Sequence, residues 1–88
     1  MMKGEGKGTA VALAPKEKNK SKAKMDQMIV ILDGEAKIIS DKEESKLTKN
    51  DSIFIAKNSE YEIENISNEI LIFVVIEGKK EEVEGVGG

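Results

Sequence analysis

Glu60, Glu62 and Glu64 stand at alternate positions around Tyr61, and these four side chains are the ones best spaced for chemistry. Carboxylates serve acid–base catalysis when their surroundings pull their proton affinities apart. Three like charges on one face of an extended strand share the same surroundings, so the spacing describes a solvated acidic face, one suited to a basic peptide. Lysine recurs in the same way at Lys16, Lys18, Lys20, Lys22 and Lys24. An extended segment puts these on one face, as a phosphate-binding stripe, a solvated loop or an edge strand guarded by lysine. No arginine or aromatic residue is interleaved, which favours the loop or the edge. The chain has 0 His and 0 Cys. Thiol nucleophiles, Cys-rich zinc sites and disulfide scaffolds are therefore excluded. No catalytic residue, metal-ligand set or cofactor is expected.

The elements that hold these residues belong to one small domain. Of the 88 residues, roughly 65–70 are left for a fold once glycine-rich, charged ends are set aside, a size that buries only about 60% of its unfolded surface. Without disulfide or metal, the remaining support is oligomerisation. Acidic residues outnumber basic ones, 17 to 14, and every basic residue is lysine. No bidentate reader of guanine or phosphate is available, and Phe54, Tyr61 and Phe73 are too few for base stacking. Nucleic acid is not an expected partner. No apolar run reaches membrane-spanning length and no signal peptide is apparent, so a soluble, intracellular protein is expected.

Along the chain, residues 1–8 read as a flexible segment, 9–78 as the domain and 79–88 as a flexible tail. Residues 9–13 alternate as a short strand that Pro15 ends, and 16–24 are polar. An apolar run at 28–32 leads into Asp33-Gly34, a turn signal that predicts a hairpin with 36–39. Residues 41–44 read as a charged turn, Leu47 as part of a short strand and 53–55 as a buried strand. Residues 60–65 alternate with a clean period of two, and 70–76 are seven consecutive apolar residues. Helical periodicity is absent over any useful length. The pattern predicts an all-β sandwich or small barrel of about seven short antiparallel strands.

A strand with one wet face alternates, whereas the runs at 70–76 and 28–32 are apolar on both sides and must bury both. The chain's own loops or a second subunit can supply that cover. The size argument favours a second subunit, and it nominates Met28, Val30, Leu32, Ile70, Ile72, Phe73, Val74 and Ile76 as a homodimer interface.

Asn50, Ala56, Asn58, Tyr61 and Asn65 keep the spacing of the second motif of the cupin superfamily (Gly, five residues, Pro, one, Gly, two, His, three, Asn). Gly34 matches the glycine that closes the first motif, which puts Gln27 at its glutamate. The two histidines of that motif then fall on Lys20 and Lys22, or on Ser21 and Ala23. The chain thus resembles a cupin without metal ligands, which implies a jelly-roll β-barrel. Within that superfamily it is similar to the C-terminal domain of centromere protein C. The likeness rests on the strand ending at Pro15, the lysine-rich stretch, Tyr61-Glu62-Ile63-Glu64-Asn65 and Leu71-Ile72-Phe73-Val74. That domain is a non-enzymatic homodimerisation module. The resemblance implies a nuclear, centromeric setting, with itself and other kinetochore or chromatin proteins as partners. The alternative is a stand-alone cytoplasmic cupin binding a sugar or sugar phosphate inside the barrel, with Gln27, Phe54, Tyr61, Ile63 and Asn65 as candidate contacts. A tyrosine at position 61 also reads more simply as a core residue whose hydroxyl finds a backbone partner.

Overall fold

A computed structural model describes residues 7–78, and within them every regular element is a strand. The eight are β1 (Lys7–Leu13), β2 (Lys18–Lys22), β3 (Gln27–Asp33), β4 (Ala36–Ser40), β5 (Glu43–Leu47), β6 (Ser52–Ile55), β7 (Glu60–Asn65) and β8 (Leu71–Glu77). They form a first sheet in the order β1-β8-β3-β6 and a second in the order β2-β7-β4-β5. All pairings are antiparallel. Successive strands change sheet except at β4–β5, which is jelly-roll connectivity. The expected fold class holds, with one strand more than expected. Segment 1–6 and the tail 79–88 lie outside the described residues, while Lys7 and Gly8 belong to β1 rather than to a flexible segment.

The additional strand is β2. Its lysines alternate with Asn19 and Ser21, and it pairs with β7 in the register Lys18↔Glu64, Lys20↔Glu62 and Lys22↔Glu60. Period two is present in this stretch, but the alternation is between charged and neutral polar residues, so an apolar pattern does not reveal it. The lysine-guarded edge strand is the reading that holds.

Asp33-Gly34 does not close a hairpin. β3 pairs with β6 and β8 in the first sheet, while β4 pairs with β5 and β7 in the second. The chain turns this corner through a β-bulge between Ile31 and Asp33, followed by Gly34 at φ 96°. A Cβ on Gly34 would lie 3.1 Å from the Leu71 Cα and 3.2 Å from the Ile70 carbonyl oxygen, so both backbone sign and close approach call for glycine. The tight hairpin is at Asp41-Lys42, between Ser40 and Glu43. Both residues have positive φ, 51° and 68°, as a two-residue primed turn requires.

Between the sheets, Leu13, Ile29, Ile31, Ile55, Leu71 and Phe73 meet Ala23, Ala36, Ile38, Leu47, Tyr61 and Ile63. Asn65 closes one end of this core. It is fully buried; its amide nitrogen donates to the carbonyls of Leu13 (3.0 Å) and Glu69 (2.7 Å), and its side-chain oxygen accepts from the Ser67 amide and hydroxyl, both at 2.9 Å. One amide thus ties the end of β1 to β7 and the β7–β8 turn. With its donors and acceptor occupied, Asn65 is a structural clip and not the ligand contact expected of it.

The two turns give substitutions of opposite sign. Gly34→Ala should lower stability by at least about 1–2 kcal/mol, the cost of a left-handed L-residue before any clash. Lys42→Gly should raise it by about 0.5–1 kcal/mol through relief of the same cost. Urea midpoints at matched protein concentration, with unchanged m-values, check both.

Candidate functional site

Three surfaces offer themselves, and strand parity decides what each presents. Inside the barrel, a cavity of about 250 Å3 is lined by Thr9, Val11, Asn19, Ser21, Gln27, Tyr61, Ile63, Phe73, Val75 and Glu77. Three of its polar residues are linked. The Tyr61 hydroxyl donates to Gln27 Oε1 at 3.1 Å, and Gln27 Nε2 donates to Glu77 Oε2 at 2.9 Å. Glu77 is the one charged residue of the lining. Gln27, Tyr61 and Ile63 lie where the sequence reading put them. Phe54 does not, because on the short edge strand β6 it points outward and is 59% exposed. Ser21 is one of the two alternative positions for a motif histidine, whereas Thr9, Asn19 and Glu77 were not foreseen. The usable signal was phase: Glu77 continues the inward series Leu71, Phe73, Val75.

The outer face of the second sheet is charged. The lysines of β2 stand opposite the glutamates of β7, and beyond β7 come Lys37 on β4 and Lys46 on β5. Lys18 pairs with Glu62 at 3.7 Å and Lys37 with Glu64 at 3.5 Å. Such exposed pairs contribute less than about 1 kcal/mol each. The row of lysines against the row of glutamates hydrates the β2–β7 half of the face, whereas in the β4–β5 half Lys37 stands opposite Lys46 and Ile39 opposite Glu44. Beside the Asp41-Lys42 turn this face holds a cleft of about 570 Å3 whose lining sets Lys20, Lys22 and Lys42 among Asp41, Glu60 and Glu62, so its lysines are matched by carboxylates.

The outer face of the first sheet is apolar. In register across it run Gly8, Ile76, Met28 and Phe54, then Ala10, Val74, Val30 and Ser52, and then Ala12, Ile72 and Asp33, with Leu32 in the bulge before Asp33. Met28, Leu32, Phe54 and Ile76 are 42%, 44%, 59% and 40% exposed, whereas Val30, Ile72 and Val74 are half-buried among them. Two nominated interface residues are placed otherwise. Phe73 has the opposite phase from Ile72 and Val74, so it fills the core at 2% exposure and offers no outer surface. Ile70 precedes β8 and is exposed in the β7–β8 loop beside Gly34.

The family model for the cupin domain matches residues 10–79. The chain belongs to the cupin family. Its jelly roll is similar to that of a Photorhabdus luminescens protein, at 25% identity and TM-score 0.79, covering 85% of this chain and 63% of that one. The cupin domain of an XRE family transcriptional regulator from Enterobacter cloacae shares 18% identity at TM-score 0.79, over 86% and 83% of the two chains. The Drosophila melanogaster CENP-C cupin domain shares 19% identity at TM-score 0.73, over 82% and 59%. No curated protein matches the sequence.

The cupin motif positions can now be placed. Asn50 and Asn58 stand where the motif has glycine, and both are left-handed, at φ 75° and 73°. Asparagine is among the few residues that tolerate that region, which is how the turns survive without glycine. Gln27 and Tyr61 occupy the glutamate and histidine positions and hydrogen-bond to each other. Of the alternatives for the two remaining histidines, Ser21 lines the cavity and Ala23 is buried, whereas Lys20 and Lys22 are exposed beside the outer charged face. The inward set is therefore Ser21, Ala23, Gln27 and Tyr61: two hydroxyls, one amide and one methyl group. A divalent transition metal needs imidazole, thiolate or carboxylate donors, and this set does not fit one. Among the described residues no three His, Cys, Asp or Glu side chains lie together as a ligand group. No helix in the described residues is long and apolar enough to cross a membrane.

This donor set carries a prediction. Neither EDTA nor added Zn2+, Mn2+ or Fe2+ at about ten times the protein concentration should move the thermal midpoint, because a metal stabilises a fold only in proportion to how well the native site binds it. A rise of several degrees with one ion would contradict the assignment of these four positions.

Proposed function

We propose that this domain is a non-enzymatic, metal-free cupin that joins two copies of the protein carrying it, through the outer face of the first sheet. One observation carries the reading: the two outer faces of one jelly roll are treated in opposite ways, the second armoured with opposed charges, the first apolar along β1, β8, β3 and β6 apart from Asp33 at the end of β3. Met28, Val30, Leu32, Ile72, Val74 and Ile76 fall on that face, joined by Phe54. Apolar area rimmed by polar residues marks an association surface, and burying each large side chain contributes about 1.5–3 kcal/mol. A homodimer meets this need with one patch, used twice.

The kinetochore setting, with nuclear placement and further chromatin partners, is the finer part of the proposal. It is supported by the Tyr61–Asn65 and Leu71–Val74 segments and by the likeness to the Drosophila CENP-C cupin domain. The bacterial cupins share the fold equally well, so the dimer reading stands apart from that setting.

A second reading, small-molecule binding, is favoured by the polar cavity. At about 250 Å3 it falls just below the usual range of ligand sites. Its lining holds Glu77 and no lysine, so a phosphate group has no partner there, and the neutral sugar is the form it suits.

The dimer is tested by sedimentation equilibrium from sub-micromolar to high-micromolar protein. The native chain should be dimeric, and Val74→Lys should weaken association by about 100-fold or more, since a buried unpaired ammonium costs several kcal/mol, with its circular dichroism unchanged. A native monomer at high-micromolar concentration would remove the reading. For the cavity, millimolar neutral monosaccharide should raise the thermal midpoint and Gln27→Leu should abolish the rise, while the corresponding sugar phosphate should have no effect.

A further inference from the structure

The cavity inside the barrel is open on one side, between two free strand edges. β1 and β2 are edge strands of opposite sheets. Thr9 on β1 and Asn19 and Ser21 on β2 have the inward phase, since they stand in register with Val75, Ile63 and Tyr61, yet all three are exposed. Deeper in the same lining, Gln27 and Tyr61 are buried. Solvent therefore reaches the cavity between the β1 and β2 edges, past two hydroxyls and an amide, and meets the Gln27–Glu77 pair. The seam between β5 and β6 is different: its inward residues Leu47, Ile53 and Ile55 pack into the core.

The hydrogen bonds of this pair have a fixed direction. An ionised carboxylate only accepts. Gln27 must therefore turn Nε2 to Glu77 and Oε1 to Tyr61, and the phenol must donate. Both donations run towards Glu77. Gln27 uses one Glu77 oxygen, and a carboxylate accepts at both. What this end of the cavity offers a ligand is acceptor capacity and a negative charge. Glu77 is half-buried, so salt screens it less than a charge on the open surface. A phosphate or carboxylate is repelled there. A neutral hydroxyl makes an ordinary hydrogen bond, whereas an ammonium makes a charge-assisted one of roughly twice the strength.

We infer that the cavity takes a hydroxylated primary amine, with its ammonium on Glu77 and its hydroxyls among Thr9, Asn19 and Ser21. The inference rests on the small-molecule reading above and adds a positive charge to the neutral sugar named there. The volume of about 250 Å3 is that of about eight waters, which is room for one sugar ring. An amino sugar, or an open-chain amino alcohol of that size, is the class that uses both the charge and the polar entrance.

Three probes on the full-length chain test it: glucose, glucosamine and glucuronate, one ring type carrying no charge, a positive charge and a negative charge. Binding is followed by amide NMR titration at about pH 6 and low salt, where an amine that titrates near pH 8 is charged. Glucosamine should shift the amides of Ser21, Gln27 and Glu77 and bind about tenfold more tightly than glucose, with glucuronate weaker than either. Raising the salt to about 0.5 M should shrink the lead of glucosamine and leave glucose unchanged; this comparison needs no variant. Glu77→Gln, which keeps an acceptor for the Gln27 amide, should bring glucosamine down to the level of glucose. Lys7 stands in register with Glu77 on β1, and cross-strand neighbours of opposite charge interact. Lys7→Ser should therefore keep or widen the lead. Glucosamine binding no tighter than glucose, or a lead that survives Glu77→Gln or vanishes in Lys7→Ser, would overturn the charge assignment while glucose binding kept the small-molecule reading in place. If millimolar glucose and glucosamine both leave every amide unmoved, the small-molecule reading falls as well.

Discussion

A jelly roll of two four-stranded sheets has four faces, and its own core covers only two of them. The other two must be hydrated or covered. Here the β2–β7–β4–β5 sheet meets the requirement with rows of lysine against rows of glutamate, in a register that puts opposite charges side by side. No comparable charge is spent on the outer face of β1–β8–β3–β6. The imbalance is a property of the strands themselves, since β8 and β3 carry apolar residues in both phases while β7 carries them in one.

Much of the fold was legible because period two was written in hydrophobicity. Residues 60–65 show it: Tyr61, Ile63 and Asn65 point inward and the glutamates outward, as their alternation demands. Legibility failed where the same period was written in other terms. In β2 it separates lysine from asparagine and serine, and in β5 only Leu47 is apolar. The Asp33-Gly34 corner was misread for a different reason. A glycine with positive φ announces a reversal of the chain, but nothing local says whether the following strand returns to the same sheet or leaves it. That is settled by the start of β8, where the Leu71 backbone packs against Gly34 from 37 residues further along the chain (position 34 to 71).

The candidate interface was legible as a region and not residue by residue. Seven consecutive apolar residues state that both faces of β8 are buried, but they do not state which phase faces the core. Phe73 and Val74 are equivalent on that evidence, yet one fills the core and the other faces out. Phe54 is likewise expected inside the barrel, as a candidate ligand contact on a strand read as buried. Its neighbours Ile53 and Ile55 take the inward phase, and the short edge strand leaves Phe54 nowhere to go but outward. In each case the missing fact is the phase of one strand against its neighbour, which sequence spacing fixes within a strand but not between strands.

The interior makes the complementary point. The positions that hold metal ligands in the cupin motif still point inward when their residues change, so their polar atoms still need partners. Here they partner one another, in the chain from the Tyr61 hydroxyl through the Gln27 amide to the Glu77 carboxylate. The amide at position 27 is the important choice. A glutamate there would set a second carboxylate against Glu77 in a lining that contains no cation, and like charges at hydrogen-bond distance cannot both ionise without cost. Glutamine supplies a donor to Glu77 and an acceptor to Tyr61 at once, and no buried side-chain polar atom among the described residues is left unsatisfied. Inward polar groups matched in this way need no metal to satisfy them.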